Sequence, residues 1–287
     1  MKKVFSFVLL FLALASVGFA QSKKTDINHD GIIKILAIGN SFSEDALDNY
    51  LTDLAIAGKK KLVIGNLYIG GASLEQHLNN AREDVPKYRY TTIDENAKKT
   101  ITQNTSIAQA LASDNWDYIS FQQASPLSGK YDVINASLPG LVSYVRAKVS
   151  PETRFVYHQT WAYQHDSKHD GFKNYDRDQM TMYKAIRDAS RKVYASRAFQ
   201  YIVPVGTAIQ NARTSSIGDA YTRDGYHLQL DYGRFTAACV WYEKLFKEDV
   251  RKNPYKPKNV TALQAKIAKQ AAHKAVRKPY KVSRLKW

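Results

Sequence analysis

The chain has 287 residues, of which 44% are hydrophobic, and it carries a formal net charge of +16. This length and apolar content are sufficient for a folded core, so the composition excludes a largely disordered protein. The charge does not indicate a nucleic-acid partner. The sequence has no recognisable nucleic-acid-binding motif, and twelve Lys or Arg residues, with no acidic residue among them, lie in 251–287 alone.

The first twenty residues have the pattern of a secretory signal peptide. Two lysines precede an apolar run over 4–15, and small residues at 18 and 20 mark a cleavage site. The run is too short to span a bilayer. We therefore expect a leader over 1–20 and a secreted or periplasmic protein with no stable membrane insertion. Cys239 is the single cysteine, so neither a lipid-anchoring cysteine at the cleavage site nor an internal disulfide is expected.

Short apolar segments rich in β-branched residues alternate with helical patterns along the rest of the chain. Strands are predicted over 32–38, 62–69, 116–121, 154–158 and 201–205. Helices are predicted over 44–57, 73–81, 106–113, 138–149 and 178–196. This alternation is typical of βαβ units, so the predicted fold class is α/β, with helices on both faces of a mostly parallel sheet.

No internal repeat or long linker divides the chain. We predict one domain over 21–250, followed by a basic helical extension over 251–287. The extension has a modest apolar face formed by Val260, Leu263 and Ile267. Its charge predicts either a solvated helix or an electrostatic contact with an anionic polysaccharide or membrane surface.

Ligands of open α/β sheets bind beyond the carboxyl ends of the strands. Four residues follow predicted strands and are therefore candidates for a site: Ser41, Gly70, Gly71 and Gln122. The segment "GNSFSED" over 39–45 lacks the glycines and lysine of a phosphate loop, and Ser43 stands where a G-x-S-x-G elbow requires its second glycine. On these residues alone, Ser41 is either a helix cap or a nucleophile.

A second segment, "TRDGYHLQLDYGRF" over 222–235, favours the interpretation of Ser41 as a nucleophile. Asp224 and His227 lie three residues apart, and on a helical turn this spacing lets the carboxylate orient the imidazole. The other ring nitrogen would then be free to accept a proton from a serine. The two segments together predict a Ser-His-Asp centre.

The sequence resembles the SGNH, or GDSL-like, hydrolases in four ordered blocks. These are "GNSFS" at 39–43, "GGAS" at 70–73, "ISFQQ" at 119–123 and "DGYHL" at 224–228. The resemblance covers roughly 32–246 and is closest to a bacterial subgroup with Gly-Asn-Ser in place of Gly-Asp-Ser. It implies a three-layer α/β/α fold, an esterase or lipase activity, and no metal or organic cofactor.

The resemblance also implies individual roles. Ser41 would be the nucleophile, His227 the general base and then acid, and Asp224 the group that orients His227. The backbone N–H groups of Ser41 and Gly71 would stabilise the oxyanion, with Gly70 as the alternative if the register differs by one.

The family's third oxyanion donor is an asparagine, and here two glutamines end the strand. We expect the Gln122 carboxamide to take that role, with Gln123 as one alternative and a structural role for either as another. Asn40 is expected to tie the loop to a neighbour, and Ser43 to cap the following helix.

Neither of two metal-like patterns is complete, so no metal is expected. The segment "DINHDG" over 26–31 matches the first half of a calcium loop, but Ala37 stands at the twelfth position, where a carboxylate is needed. The histidines in "HQTWAYQHDSKHD" over 158–170 have a spacing that matches no zinc signature.

Trp161 and Tyr163 in the same segment are predicted to bind substrate by stacking on sugar rings. Secretion, a metal-free serine centre and these aromatics predict a carbohydrate O-acetyl (acyl) esterase whose partner is an ester-modified glycan. One alternative is a methyl esterase acting on uronic acids, whose negative charge would suit the basic extension. Another is a non-catalytic glycan-binding protein on the same fold.

Overall fold

The structure is a computed structural model that describes residues 26–287, so the predicted signal peptide lies outside the described residues. Seven strands form one sheet in the order β4-β3-β2-β1-β5-β6-β7. Their bounds are β1 Ile32–Gly39, β2 Lys61–Tyr68, β3 Tyr88–Ile93, β4 Lys99–Thr105, β5 Tyr118–Phe121, β6 Arg154–His158 and β7 Tyr201–Val203.

Helices cover both faces of this sheet. They are α1 Ser41–Leu47, α2 Leu51–Ala57, α3 Leu74–Arg82, α4 Ile107–Ala112, α5 Tyr131–Arg146, α6 Gln179–Ala195, α7 Val205–Ala212, α8 Tyr232–Phe246 and α9 Ala262–Arg277. The buried apolar residues form two clusters, one mainly under α1, α2, α7, α8 and α9 and the other mainly under α3, α4 and α5. The predicted three-layer α/β/α fold with a mostly parallel sheet is confirmed.

The centre of the sheet is parallel because its strands are joined through helices. β1 pairs in parallel with β2 and with β5, and β5 and β6 continue the parallel order to β7. Most residues of β1 are buried, as expected for a strand covered on both faces. This arrangement places the carboxyl ends of β1, β2, β5 and β6 at one edge of the sheet.

The antiparallel strands β3 and β4 were not predicted. β3 pairs with β2 and with β4, which forms the edge of the sheet. Six of the seven residues of β4 are exposed, and they are mostly polar. An exposed edge strand of this composition lacks the apolar run on which the strand predictions depended.

Two predicted boundaries were wrong in an instructive way. The helix predicted over 44–57 is two helices, α1 and α2, with a break between Leu47 and Leu51. The strand predicted over 201–205 ends at Val203, because Pro204 lacks the N–H that a further ladder bond requires and α7 begins at Val205. All eight residues of α7 are buried, including the polar residues Thr207, Gln210 and Asn211.

The basic extension packs into the domain. Helix α9 lies against α7 and α8, and Ile267, Ala271 and Ala275 are fully buried in the same core as Trp241 of α8. Of the predicted apolar face, Val260 is also buried, whereas Leu263 is 48% exposed. Within residues 26–287, no helix combines the length and apolar character needed to cross a bilayer.

Candidate active site

Ser41 is the first residue of α1 and lies directly beyond the carboxyl end of β1. The cap of this helix is Asn40, whose Oδ1 accepts a hydrogen bond from the Phe42 N–H at 3.0 Å. The prediction that Ser43 caps the helix was therefore wrong. The Ser43 hydroxyl is buried, 2.8 Å from the Asn40 carbonyl and 2.9 Å from Asn66 Oδ1.

Gly39 is required by close packing at this turn. A Cβ atom on Gly39 would lie 2.5 Å from Ser43 Oγ and 3.3 Å from the Gln122 side chain. Any larger residue would have to displace the buried serine and with it the start of α1. The glycine of "GNSFS" therefore allows the strand end, the helix and the end of β5 to approach one another.

Asp224 and His227 lie in a loop before α8, rather than on the helical turn that the spacing suggested. An isolated antiparallel bridge between Thr222 and Leu228 closes the loop, and Gly225 has a φ of 91°, a left-handed conformation that favours glycine. Asp224 Oδ1 accepts hydrogen bonds from the backbone N–H groups of Tyr226 and His227. The carboxylate thus sets the loop conformation as well as contacting the histidine ring.

The structure brings Ser41, His227 and Asp224 into one hydrogen-bonded line. His227 Nδ1 lies 2.6 Å from Asp224 Oδ2, and His227 Nε2 lies 2.8 Å from Ser41 Oγ. Burial would raise the pKa of Asp224, but hydrogen bonds from the ring and backbone of His227 outweigh it and lower this pKa below its ordinary value. Asp224 is therefore ionised at neutral pH, which holds the Nδ1 proton and leaves Nε2 to accept from Ser41.

The two backbone N–H groups predicted to bind an oxyanion are unpaired in the part of the chain that the structure describes. The N–H groups of Ser41 and Gly71 have no hydrogen-bond acceptor among residues 26–287. Gly71 has a φ of 68°, and a Cβ there would have no heavy atom within 4 Å. Gly70, the alternative donor, is also exposed and follows Tyr68 at the end of β2.

The Gln122 carboxamide is occupied by protein partners. Its Nε2 donates to Asn40 Oδ1 at 2.7 Å, and its Oε1 lies 2.8 Å from His158 Nδ1. Asn40 Nδ2 in turn donates to the Ala72 carbonyl at 3.0 Å. We call this chain, from His158 through Gln122 and Asn40 to Ala72, the amide relay. It gives Gln122 a structural role. The third oxyanion contact stays a prediction, because Asn40 engages only one of the two Nε2 hydrogens of Gln122.

The neighbouring Gln123 is also buried. Its Oε1 accepts hydrogen bonds from the backbone N–H groups of Leu74 and Ala124, and its Nε2 has no partner among the described residues. Gln123 therefore holds the start of α3 against the end of β5. Together the two glutamines fix the loop over 70–73 from its buried side.

A family model and several solved structures match the chain. A family model described as a domain of unknown function, DUF4886, matches residues 34–275. The chain belongs to the DUF4886 family. A crystal structure of a DUF4886 family protein from Bacteroides uniformis is 51% identical, with a TM-score of 0.87, and the match covers 88% of this chain and 98% of that one.

The fold is shared more widely. A proposed SGNH hydrolase from Slackia heliotrinireducens is 22% identical, with a TM-score of 0.51, over 74% of this chain and 98% of that one. The resemblance to SGNH hydrolases is thus confirmed for the fold. No curated protein sequence matches the chain significantly.

The prediction that Trp161 and Tyr163 stack on a sugar was wrong, because both rings are 0% exposed in this DUF4886 protein. Trp161 stacks on Phe42 with ring centroids 4.1 Å apart, and its Nε1 donates to the Tyr226 carbonyl at 2.7 Å. It therefore supports from beneath both the turn over 39–43 and the loop over 222–228, which we call the histidine loop. The segment over 158–170 thus folds inward at its aromatic positions.

Two other tyrosines border the site and were not predicted. Tyr226 is partly exposed, and its ring centroid lies 4.1 Å from that of His227. Tyr68 is also partly exposed, and its hydroxyl oxygen would lie 3.4 Å from a Cβ built on Gly70. The sequence could have indicated both, because Tyr226 directly precedes His227 and Tyr68 lies two residues before Gly70.

The histidines of 158–170 do not gather in one place. His158 is buried in the amide relay, His165 contacts Asp219, and His169 packs against Tyr226. Among residues 26–287, only Glu243, Asp249 and His273 are grouped closely enough to hold a metal ion. These three residues lie on α8, the loop after it and α9, and none of them belongs to the triad.

A buried acid, Asp48, is connected to the turn over 39–43 through Asn66. Asp48 is 6% exposed and accepts a hydrogen bond from Asn66 Nδ2 at 2.8 Å, while Asn66 Oδ1 contacts Ser43. Burial raises the pKa of Asp48 from 3.8 to about 6. The ionised form that prevails above this pH is therefore less favourable in the folded state than in the unfolded chain.

Replacing Gln122 with methionine separates the structural role from an oxyanion role. The Gln122→Met variant keeps the volume, but it leaves His158 Nδ1 without a hydrogen-bond partner and removes one of the two hydrogen bonds that Asn40 Oδ1 accepts. We expect the free energy of unfolding to fall by about 2–4 kcal/mol, measured by urea denaturation. An unchanged free energy of unfolding, with kcat reduced ~10²–10³-fold, would instead assign the carboxamide to the oxyanion.

Replacing Asp48 with asparagine should make stability less dependent on pH. The variant keeps an oxygen acceptor for Asn66 and removes the charge. Since the folded pKa is raised, wild-type stability falls as pH rises from about 4 to about 6, so the variant should be more stable by up to ~3 kcal/mol at pH 8 and by little at pH 4. Urea denaturation at both pH values tests this, with the exposed Asp166→Asn as control. An equal difference at the two pH values would contradict it.

Proposed function

We propose that the protein is a serine hydrolase that cleaves carboxylic esters through an acyl-enzyme. The observation that carries this proposal is the continuous line from Ser41 Oγ through His227 to Asp224, with contacts of 2.8 and 2.6 Å. Both contacts lie within hydrogen-bond range without any movement of the loop. The oxyanion donors that we propose are the N–H groups of Ser41 and Gly71, which have no hydrogen-bond acceptor among residues 26–287.

The geometry supports a two-step mechanism. His227 Nε2 takes the proton of Ser41 as Oγ attacks the ester carbonyl carbon, and the N–H groups of Ser41 and Gly71 stabilise the negative oxygen. The ring then returns that proton to the leaving alcohol as the ester bond breaks. In the second step His227 takes a proton from water as the water oxygen attacks the acyl carbon. The ring then returns that proton to Ser41 Oγ as the acyl–oxygen bond breaks, which releases the acid and restores the enzyme.

The substrate that we propose is an O-acetylated carbohydrate. The predicted signal peptide supports an extracellular or periplasmic location, where such polymers occur. The partly exposed rings of Tyr226 and Tyr68 lie beside the histidine and the oxyanion loop, where aromatic faces can contact a sugar. They replace Trp161 and Tyr163 as the candidate carbohydrate contacts.

The alternative substrate is a methyl-esterified uronic acid polymer. It is favoured by a cavity of about 520 Å³ at the end of α9 and the segment that follows. Six cationic residues line this cavity, and no acidic residue does: Arg251, Lys274, Arg277, Lys278, Lys281 and Arg284. Such a surface attracts an anionic chain over a range limited by salt screening.

A non-catalytic glycan-binding protein on the same fold is the third hypothesis. Its support is the glutamine that replaces the family's asparagine, because one of the two Nε2 hydrogens of Gln122 is already used by Asn40. The aligned triad argues against it, since binding alone requires no serine hydroxyl hydrogen-bonded to a histidine.

Replacement of the nucleophile tests the hydrolase proposal. On p-nitrophenyl acetate, Ser41→Ala should lower kcat by about 10⁴-fold relative to the wild type, because the acyl-enzyme cannot form. The control is Ser143→Ala, which changes an exposed serine on α5 and should leave the rate unchanged. Wild-type hydrolysis no faster than that of Ser41→Ala would reject the esterase and favour the glycan-binding hypothesis.

A panel of glycans distinguishes the two ester classes. The wild type should release acetate from acetylated xylan or acetylated pectin faster than it releases methanol from methyl-esterified pectin. The reverse result, with a methanol rate that falls as NaCl is raised, would establish the methyl esterase and a contribution from the basic cavity. A methanol rate independent of salt would exclude that contribution.

A further inference from the structure

Asp45 is a fully buried carboxylate, one helical turn beyond Ser41. Positions four apart on a helix lie on the same face, so Asp45 stands below the serine on the side toward the histidine loop. No part of the proposed mechanism uses this carboxylate. Its partners indicate what it does.

The partners of Asp45 lie on either side of the Asp-x-x-His segment. Asp45 Oδ2 accepts a hydrogen bond from the Leu228 N–H at 2.8 Å, and Leu228 follows His227 directly. Both carboxylate oxygens lie 3.0–3.1 Å from Arg223 Nη1, and Arg223 precedes Asp224 directly. One side chain of α1 therefore holds both ends of the segment that carries the acid and the base.

Two further contacts close this cluster. Arg223 Nη1 also donates to the Leu228 carbonyl at 2.5 Å, which joins the two ends of the segment to each other. Arg234 on α8 lies 2.7 Å from Asp45 Oδ1 through Nη2 and 2.8 Å through Nε. Elements that are distant in sequence, α1, the histidine loop and α8, thus meet at a single buried anion.

The loop needs such a support because it has little regular structure. Between Thr222 and Leu228 it contains no helix, and its closing bridge is a single pair. A buried anion that loses its partners, or cations that lose the anion, are costly, so this contact has one preferred geometry. An error of about 1 Å in the position of a catalytic group can reduce a rate by ~10²-fold.

We infer that Asp45 is a positioning residue that fixes the distance between His227 and Ser41. The expected effect on kcat rests on the proposed hydrolase function, whereas the expected effect on the conformation of the loop does not. The inference assigns a role to Asp45, the second acidic residue of "GNSFSED", for which the sequence predicted none.

The test compares Asp45→Asn with Asp117→Asn. Asp117 is also a buried carboxylate, and it accepts hydrogen bonds from the N–H groups of Ile27 and Lys34 at the start of the sheet, away from the triad. Both variants remove a buried charge without changing side-chain volume. Only Asp45→Asn should lower kcat on p-nitrophenyl acetate, by ~10–10²-fold, with KM changed less than about threefold.

A structural measurement separates this inference from the proposed function. In hydrogen–deuterium exchange of the folded proteins, Asp45→Asn should speed exchange of the amides over 223–229 at least about tenfold, and Asp117→Asn should not. This readout decides the inference even if the wild type hydrolyses no ester. Exchange over 223–229 that is unchanged in Asp45→Asn, or equally accelerated in Asp117→Asn, would overturn it. Wild-type inactivity with accelerated exchange would reject only the hydrolase.

Discussion

The arrangement of the site depends on the hydrogen bonds of the Asn40 side chain. This side chain caps α1 by accepting from the Phe42 N–H, accepts from Gln122 beyond β5, and donates to the Ala72 carbonyl beyond β2. Three strand ends are therefore tied together by one buried carboxamide. Because the carboxyl ends of parallel strands meet at one edge, this contact also fixes Ser41 relative to Gly71. The same carboxamide therefore positions the serine and the loop that carries Gly71.

The basic and acidic members of the triad are supported independently of that carboxamide. Trp161 lies beneath the histidine loop and contacts both Phe42 and the Tyr226 carbonyl. Asp45 holds the two ends of the loop from α1. These supports are buried, while Ser41 and His227 keep partial exposure at the surface. Rigid inner groups under accessible reactive groups are the pattern expected of a preorganised site.

The C-terminal extension contributes both to the hydrophobic core and to the positive charge of the protein. The alanines on the inner face of α9 pack closely against α7 and α8, and His273 contacts Glu243 of α8. Six of the twelve cations of the extension surround one cavity, which is lined by Arg251 and by residues of α9 and the segment after it. The same segment therefore contributes to stability through its small residues and to the proposed anion contact through its charged ones.

The parallel core of the sheet, the position of Ser41 after β1 and the pairing of Asp224 with His227 could be predicted from the amino-acid order. Buried strands are apolar runs, and an acid three residues from a histidine suggested the pair, although the two lie in a loop and not on the predicted helical turn. The roles of Gln122, Trp161 and Asp45 became evident only in the folded molecule. Each depends on partners from 80 to more than 180 positions away in the chain, or on burial that an aromatic or acidic residue does not reveal in isolation. Side-chain burial is set by what packs on the residue, and a single sequence does not contain that information.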